Sequence, residues 1–159
     1  MTDPAPGRPH MPGYGIADDT DGALPWNWAR ERLESSRNYW VATTRPGGRP
    51  HLMPVWGVWM DDLLYFSTAI TSTKARNMLA NPECSISTEH ANEAVIVEGV
   101  ARVEDEEETL RPVWAAYKQK YDWDMTGESM FVIAPALAFG FIERAEEFGR
   151  SATRWQFGA

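Results

Sequence analysis

Between residues 39 and 68 three extended apolar runs follow one another through connections of only a few residues, and that brevity decides the fold class. Parallel neighbours need a crossover of a dozen or more residues, usually a helix, whereas antiparallel neighbours join through a turn. The runs are 39–44, 50–60 and 63–68, and the RPGGR stretch at 45–49 and Asp61-Asp62 make the turns. Three more strands are predicted at 83–88, 94–103 and 130–143. Gly99 marks a bulge or a close backbone approach, and Pro135 belongs at an edge or a bulge because it cannot donate to a ladder.

Helical spacing recurs in three places. Residues 26–36 follow Pro25 as a short amphipathic helix. Residues 72–80 end at Asn81-Pro82. Residues 105–121 carry acids at their start and lysines near their end, the charge order a helix prefers, with Pro112 inside, so a kink or two abutting helices is expected. The whole reads as a mainly β protein, a six-stranded antiparallel β-barrel with inserted helices. A small barrel has little interior room, so a ligand belongs on its outside or at a dimer seam.

Residues 1–22, rich in Pro, Gly and Asp, read as a flexible N-terminal arm, and 23–159 as a single domain. A chain of 159 residues suffices for one substantial core. The net charge of -8 and the scattered cations argue against nucleic acid or an anionic membrane as partner. The single cysteine, Cys84, cannot make an internal disulfide, which points to a cytoplasmic protein. No apolar run approaches the length of a membrane span. The acidic run 104–108 reads as a solvated helix start, and no metal is expected. Eight tryptophans each bring ~150 to 250 Å² that core, ligand or partner must cover.

One segment stands apart. The stretch 65–78, YFSTAITSTKARNM, runs from a strand through several hydroxyls into a helix that opens with Lys74 and Arg76. Cations in a first turn oppose the helix dipole, and no Glu or Gln stands where a capping box needs one. An anion held by free first-turn amides, by the hydroxyls of Thr68, Ser72 and Thr73 and by Lys74 would account for this. An ordinary hydroxyl-capped surface helix has the same residues, and spacing alone does not separate the two.

The segments YWVATT (39–44), GRPHLMPVWGV (48–58), YFST (65–68), STKARN (72–77), Asn81-Pro82 and VEGVA (97–101) resemble the FMN-binding split-barrel superfamily typified by pyridoxamine 5'-phosphate oxidase, and within it the flavin/deazaflavin oxidoreductases. The resemblance covers about residues 36–143. It implies a split β-barrel of FMN-binding type, a homodimer with each cofactor between subunits, and FMN or the deazaflavin coenzyme F-420 as cofactor. It also implies that Thr68, Ser72, Thr73 and Lys74 hold the cofactor phosphate, with Asn77 assisting and Ser67 among the cofactor-binding residues, and that Val55, Trp56, Gly57 and Val58 lie along the tricyclic ring. Arg154 and Trp155 would either reach the neighbouring subunit's cofactor or belong to a simple packing tail. Leu52 and Gly57 stand where true oxidases of vitamin B6 carry Arg and Lys, and the basic C-terminal motif is missing, so that reaction is not expected.

The chemistry implied is hydride transfer to or from the ring and a small organic substrate, which requires no catalytic side chain. His51, Tyr117 and Tyr121 are candidate proton donors. A carrier that stores a flavin, haem or lipid-like ligand without turnover, and a cofactor-free interaction module, remain open on the same fold.

Overall fold

The computed structural model describes residues 2–158. In chain order the elements are β1 (Pro6–Gly7), α1 (Trp26–Ser35), β2 (Asn38–Thr44), β3 (Pro50–Trp56), β4 (Val58–Met60), β5 (Leu63–Phe66), α2 (Thr73–Ala80), β6 (Glu83–Thr88), β7 (Glu93–Glu104), α3 (Glu107–Tyr121), β8 (Met130–Ile142), α4 (Ala145–Ser151) and β9 (Thr153–Gln156). Every strand pair is antiparallel. The expected six strands are present, with the second of them broken at Gly57 into β3 and β4.

That break closes the barrel. β3 pairs with β2, β4 pairs with β5, and the circuit continues through β8, β7 and β6 back to β2. The long β8 belongs to two neighbourhoods: Phe131, Val132 and Ile133 pair with β5, while Leu137 to Gly140 pair with β9. The barrel splits there. Between the two halves the β7–β8 register slips so that Glu98 faces Leu137 and Gly99 faces Pro135, leaving Ala136 as the extra residue of a bulge. Gly99 has no room for a side chain, since a Cβ would stand 2.4 Å from the Ala134 carbonyl oxygen. The sequence expectations for Gly99 and Pro135 therefore meet in one feature.

The β4–β5 turn consists of Asp61 and Asp62 with φ of 52° and 58°. Two successive left-handed residues form the hairpin turn whose twist matches its strands, and Asp tolerates that conformation. The Asp62 carboxylate then accepts hydrogen bonds from Trp26 Nε1 at 3.1 Å and from the Arg30 guanidinium at 3.0 Å, which fastens α1 to the hairpin.

Alternation along β5 and β8 produces two apolar clusters. Leu64, Phe66 and Ile133 face the barrel interior with Tyr39, Val41, Ile86, Val95 and Val97, capped by Trp26, Ala29 and Leu33 of α1. Tyr65 and Val132 face the other way, under the Leu110, Val113, Trp114, Tyr117 and Tyr121 side of α3. α3 is one helix rather than two. Pro112 removes the partner of the Glu108 carbonyl, but both residues are exposed, so that carbonyl is open to solvent.

The N-terminal segment read as a flexible arm is docked. Pro6 and Gly7 pair with Trp155 and Arg154 of β9, and the Arg8 guanidinium donates to the carbonyls of Asp19, Asp21, Arg150 and Ala152 at 2.6 to 2.9 Å. Composition signals polarity and turns; it does not report that one arginine collects four carbonyls. Among the described residues no helix is long and apolar enough to cross a membrane.

Replacing Gly99 by Ala forces its methyl against backbone that cannot yield without moving the bulge. Overpacking of this kind costs about 1 to 3 kcal/mol. Urea unfolding should show Gly99→Ala less stable by that amount, and an unchanged midpoint would show that the bulge is not rigid.

Candidate functional site

The turn after β5 leads directly into α2. The Ser72 amide donates to the Ala69 carbonyl at 2.8 Å, and Ser72 then serves as N-cap, its Oγ accepting from the Ala75 amide at 3.2 Å. Thr68 Oγ1 lies 3.1 Å from Ser72 Oγ. Among the described residues the amides of Thr73 and Lys74 have no hydrogen-bond partner, and the first turn carries no acid. Ser67, Thr68, Ser72, Thr73 and Lys74 are all half-buried, so the structure gathers the four residues read as a phosphate site, and Ser67 beside them, around one helix start. Arg76 is exposed.

Asn77 plays another part. Its side chain is buried and Nδ2 donates to Thr43 Oγ1 at 3.0 Å, which pins α2 to β2. Expected to assist a cofactor, it is an internal anchor, because its place on α2 faces the barrel together with Ala75 and Met78.

His51 is the cross-strand partner of Thr43, beneath α2. It is buried, its Nδ1 has no partner, and burial together with Arg45 and Lys74 holds its imidazole below the usual histidine range. Such a histidine is neutral at pH 7. It can donate or accept one hydrogen bond but carries no charge to give as a general acid.

Of the four residues assigned to the ring, only Trp56 presents its side chain outward, at 39% exposure; Val55 and Val58 are buried in the barrel cluster and the α3 cluster respectively. The Trp56 ring lies parallel to Tyr121, 4.6 Å apart at 5°, with the Arg37 guanidinium 5.8 Å from its centroid. Trp59 is buried in the core against Trp26. Gly57 is shut in as well, since a Cβ there would meet Leu64 at 3.0 Å and the Tyr65 carbonyl at 3.1 Å. Its amide donates to Tyr121 Oη at 2.9 Å, and its carbonyl accepts from Lys120 Nζ at 2.8 Å and lies 2.8 Å from Tyr121 Oη. The Gly57 backbone is thus committed to α3 and is not free to bond a ring.

Lys120 and Arg37 were not singled out in the sequence. Lys120 Nζ also donates to the Tyr39 hydroxyl at 3.1 Å, and Tyr39 in turn donates to the Leu33 carbonyl. Burial and the nearby Arg37 bring the Lys120 amine down to about 8, against a weaker opposing pull from Glu89. The Tyr121 phenol is pushed up to about 12 by burial, so Tyr121 stays protonated at neutral pH. No spacing rule connects the end of α3 to Gly57; a lysine in a last helical turn reads only as dipole-compatible.

The C-terminal pair divides. Trp155 is fully buried, with its ring 5.3 Å from Trp26, and packs in the core rather than reaching outward. Its place on β9, between β8 and β1, fixes that outcome. Arg154 is half-buried and donates to Gln156 on the same strand at 3.0 Å. Cys84 is buried with its thiol pushed up to about 12 by desolvation, hence unreactive. Among the described residues no three His, Cys, Asp or Glu side chains converge as metal ligands.

A six-stranded antiparallel split barrel with a hydroxyl-lined, acid-free helix start at its rim is the class of protein these observations define. Residues 28–140 match the pyridoxamine 5'-phosphate oxidase family, and the chain belongs to that family. No curated protein matches it. Among solved structures, a conserved hypothetical protein from Mycobacterium tuberculosis is 24% identical with a TM-score of 0.68, covering 77% of this chain and 88% of that one. An F420 reductase is 22% identical with a TM-score of 0.56, over 69% and 94% of the two chains. An FAD-binding protein from Mesorhizobium loti is 20% identical with a TM-score of 0.59, over 82% and 94%. At these identities the likeness is one of fold.

The depressed Lys120 amine gives a signed pH effect. Unfolded, Lys120 holds its proton up to about 10.5; folded, it releases it near 8. Between those values the unfolded chain binds more protons, so this residue's contribution to stability rises with pH. Wild type should gain stability relative to Lys120→Met as pH moves from 8 towards 10 in chemical denaturation, and a difference constant with pH would remove the effect.

Proposed function

We propose that the protein is a flavin-type oxidoreductase that binds FMN or coenzyme F-420 at the seam of a homodimer and transfers hydride to or from a small organic molecule. The observation that carries this reading is the start of α2, where two unpartnered amides, the Thr68–Ser72 hydroxyl pair and Lys74 converge without an acid. Two amides, hydroxyls and an ammonium are the donor set a phosphate monoester requires, and a helix N-terminus favours negative charge. That donor set fits a phosphorylated cofactor. The family match and the fold shared with an F420 reductase and an FAD-binding protein support the same reading.

When bound, such a cofactor supplies the hydride chemistry, and the protein supplies orientation, a dry face and electrostatics. Thr68, Ser72, Thr73 and Lys74 would hold the phosphate, with Ser67 alongside. Trp56, backed by Tyr121, offers a flat apolar face for a ring. His51 at its lowered pKa stays neutral beneath α2, adding no charge to that end of the site. A flavin reads equally well as a deazaflavin here, because both bring a tricyclic ring and a phosphorylated tail.

The sheet face beside the ring position supports the homodimer. Trp40, Leu52, Pro54 and Trp56 share the outer face of β2 and β3, with Trp40 at 41% and Leu52 at 56% exposure. Contiguous apolar surface on a sheet calls for a cover, and a second copy offers the same face in return. A lone buried thiol suits a reducing cytoplasm.

Absorbance and fluorescence titration of the purified protein with FMN and with F-420 tests the cofactor reading, and affinity for neither would end it. Lys74→Ala should weaken binding by about 1.5 to 3 kcal/mol, the range for hydrogen bonds to charged groups. Equal affinities would take Lys74 out of the site. Bleaching of the bound cofactor by a hydride donor, followed by reoxidation with an organic acceptor, separates an oxidoreductase from a carrier. In sedimentation equilibrium Trp40→Glu with Leu52→Glu should run as a monomer where wild type runs as a dimer; a monomeric wild type would refute the seam.

A further inference from the structure

Lys120 is placed for more than fastening a helix. Its ammonium has three donors. One goes to the Gly57 carbonyl at 2.8 Å and one to the Tyr39 hydroxyl at 3.1 Å; among the described residues the third has no partner. The nitrogen lies 5.3 Å from the centroid of Tyr121, whose ring backs the outward-facing Trp56. Arg37 stands over both rings, at 5.2 and 5.8 Å from their centroids. A half-buried ammonium with an unspent donor, held one residue from an exposed aromatic face, is built to meet an anionic edge.

We propose that Lys120 supplies the positive charge that stabilises the reduced, anionic form of a planar redox ring seated against Trp56. The inference rests on the cofactor reading above and assigns a role to a residue outside the phosphate site. Two-electron reduction by a hydride donor adds negative charge to the ring, and a fixed cation in a half-buried setting favours that charge more than water does. Lys120 is suited to this because its two internal bonds hold it without neutralising it: both partners are uncharged oxygens. Its charged surroundings are Arg37, which disfavours the ammonium, and Glu89, which favours it. The charge therefore weakens as pH passes about 8, well before an ordinary lysine would lose it.

The test is the midpoint potential of bound FMN, measured by equilibration with a reference dye in wild type, Lys120→Met, Lys120→Gln and Lys120→Arg. Loss of the charge should lower the ratio of reduced to oxidised affinity roughly tenfold, which for a two-electron couple is about 30 mV more negative. Lys120→Arg should restore most of it, and the change of slope of potential with pH near 8 should vanish in the Met and Gln variants. Gln keeps a donor for Tyr39 or Gly57, so it reports on charge even where Met perturbs packing. Bound FMN with one potential in wild type and Gln variant would overturn the proposal and leave the cofactor reading standing, as would an Arg variant shifted as far as Gln. A wild type that binds neither FMN nor F-420 would overturn both.

Discussion

The backbone of Gly57 is the point on which barrel and site both turn. Up to Trp56 the chain is laddered to β2; from Val58 it is laddered to β5. A residue between two ladders has no strand partner for its amide and carbonyl, and leaving such groups buried and unpaired costs about 1 to 3 kcal/mol each. α3 meets that need, with Tyr121 Oη accepting from the amide and Lys120 Nζ donating to the carbonyl, while the Tyr121 hydroxyl lies 2.6 Å from the Arg37 carbonyl. The absence of a Cβ lets Tyr39, Leu64 and the Tyr65 carbonyl close around it. The same break decides which side chains face outward. Trp56 ends the outer row of β3, while Val58 begins a row that points under α3.

Rigidity and unsatisfied bonding are distributed unevenly around α2. Its inward side is anchored by Asn77 to Thr43 and by the burial of Ala75 and Met78. Its start is left with two free amides and a cation that works against the helix dipole, an opposition of about 0.3 to 1 kcal/mol. A helix held at one side and unsatisfied at its mouth would serve the proposed phosphate as a preorganised receptor, because the donors need not be ordered at the moment of binding.

The barrel was legible because its signals are local. Turn residues at 45–49 and 61–62, the period of the strands and the Gly99 and Pro135 anomalies each report on their own surroundings, and each appears where expected. The helix start at Ser72 was legible for the same reason. What escaped depends on pairs distant in sequence. Arg8 finds carbonyls beyond residue 149, Lys120 finds Gly57, and Trp155 finds Trp26; no window of residues contains both partners. Asn77 was misread because helical spacing places it one turn from Lys74 but does not say which face the barrel takes. For Trp155 both a cofactor contact and a packing tail stood open, since a tail gains a strand only if an edge awaits it, and β8 provides that edge.

Charge placement ties the two ends of the site together. The chain carries a net -8, yet Arg45 and Lys74 act on His51 at one end of β3, and at the other Arg37 lies over Trp56 and Lys120 over the Tyr121 ring stacked on it. The strand from His51 to Trp56 covers about 17 Å at the usual rise. That separation exceeds the screening length of about 8 Å at physiological ionic strength, so the two cationic ends would act on a ligand separately. A molecule engaging both must carry its negative charge at two places joined by an extended linker. A lone phosphate or a bare ring satisfies one end only, which is the physical basis for reading the strand as a bed for a ring with a phosphorylated tail.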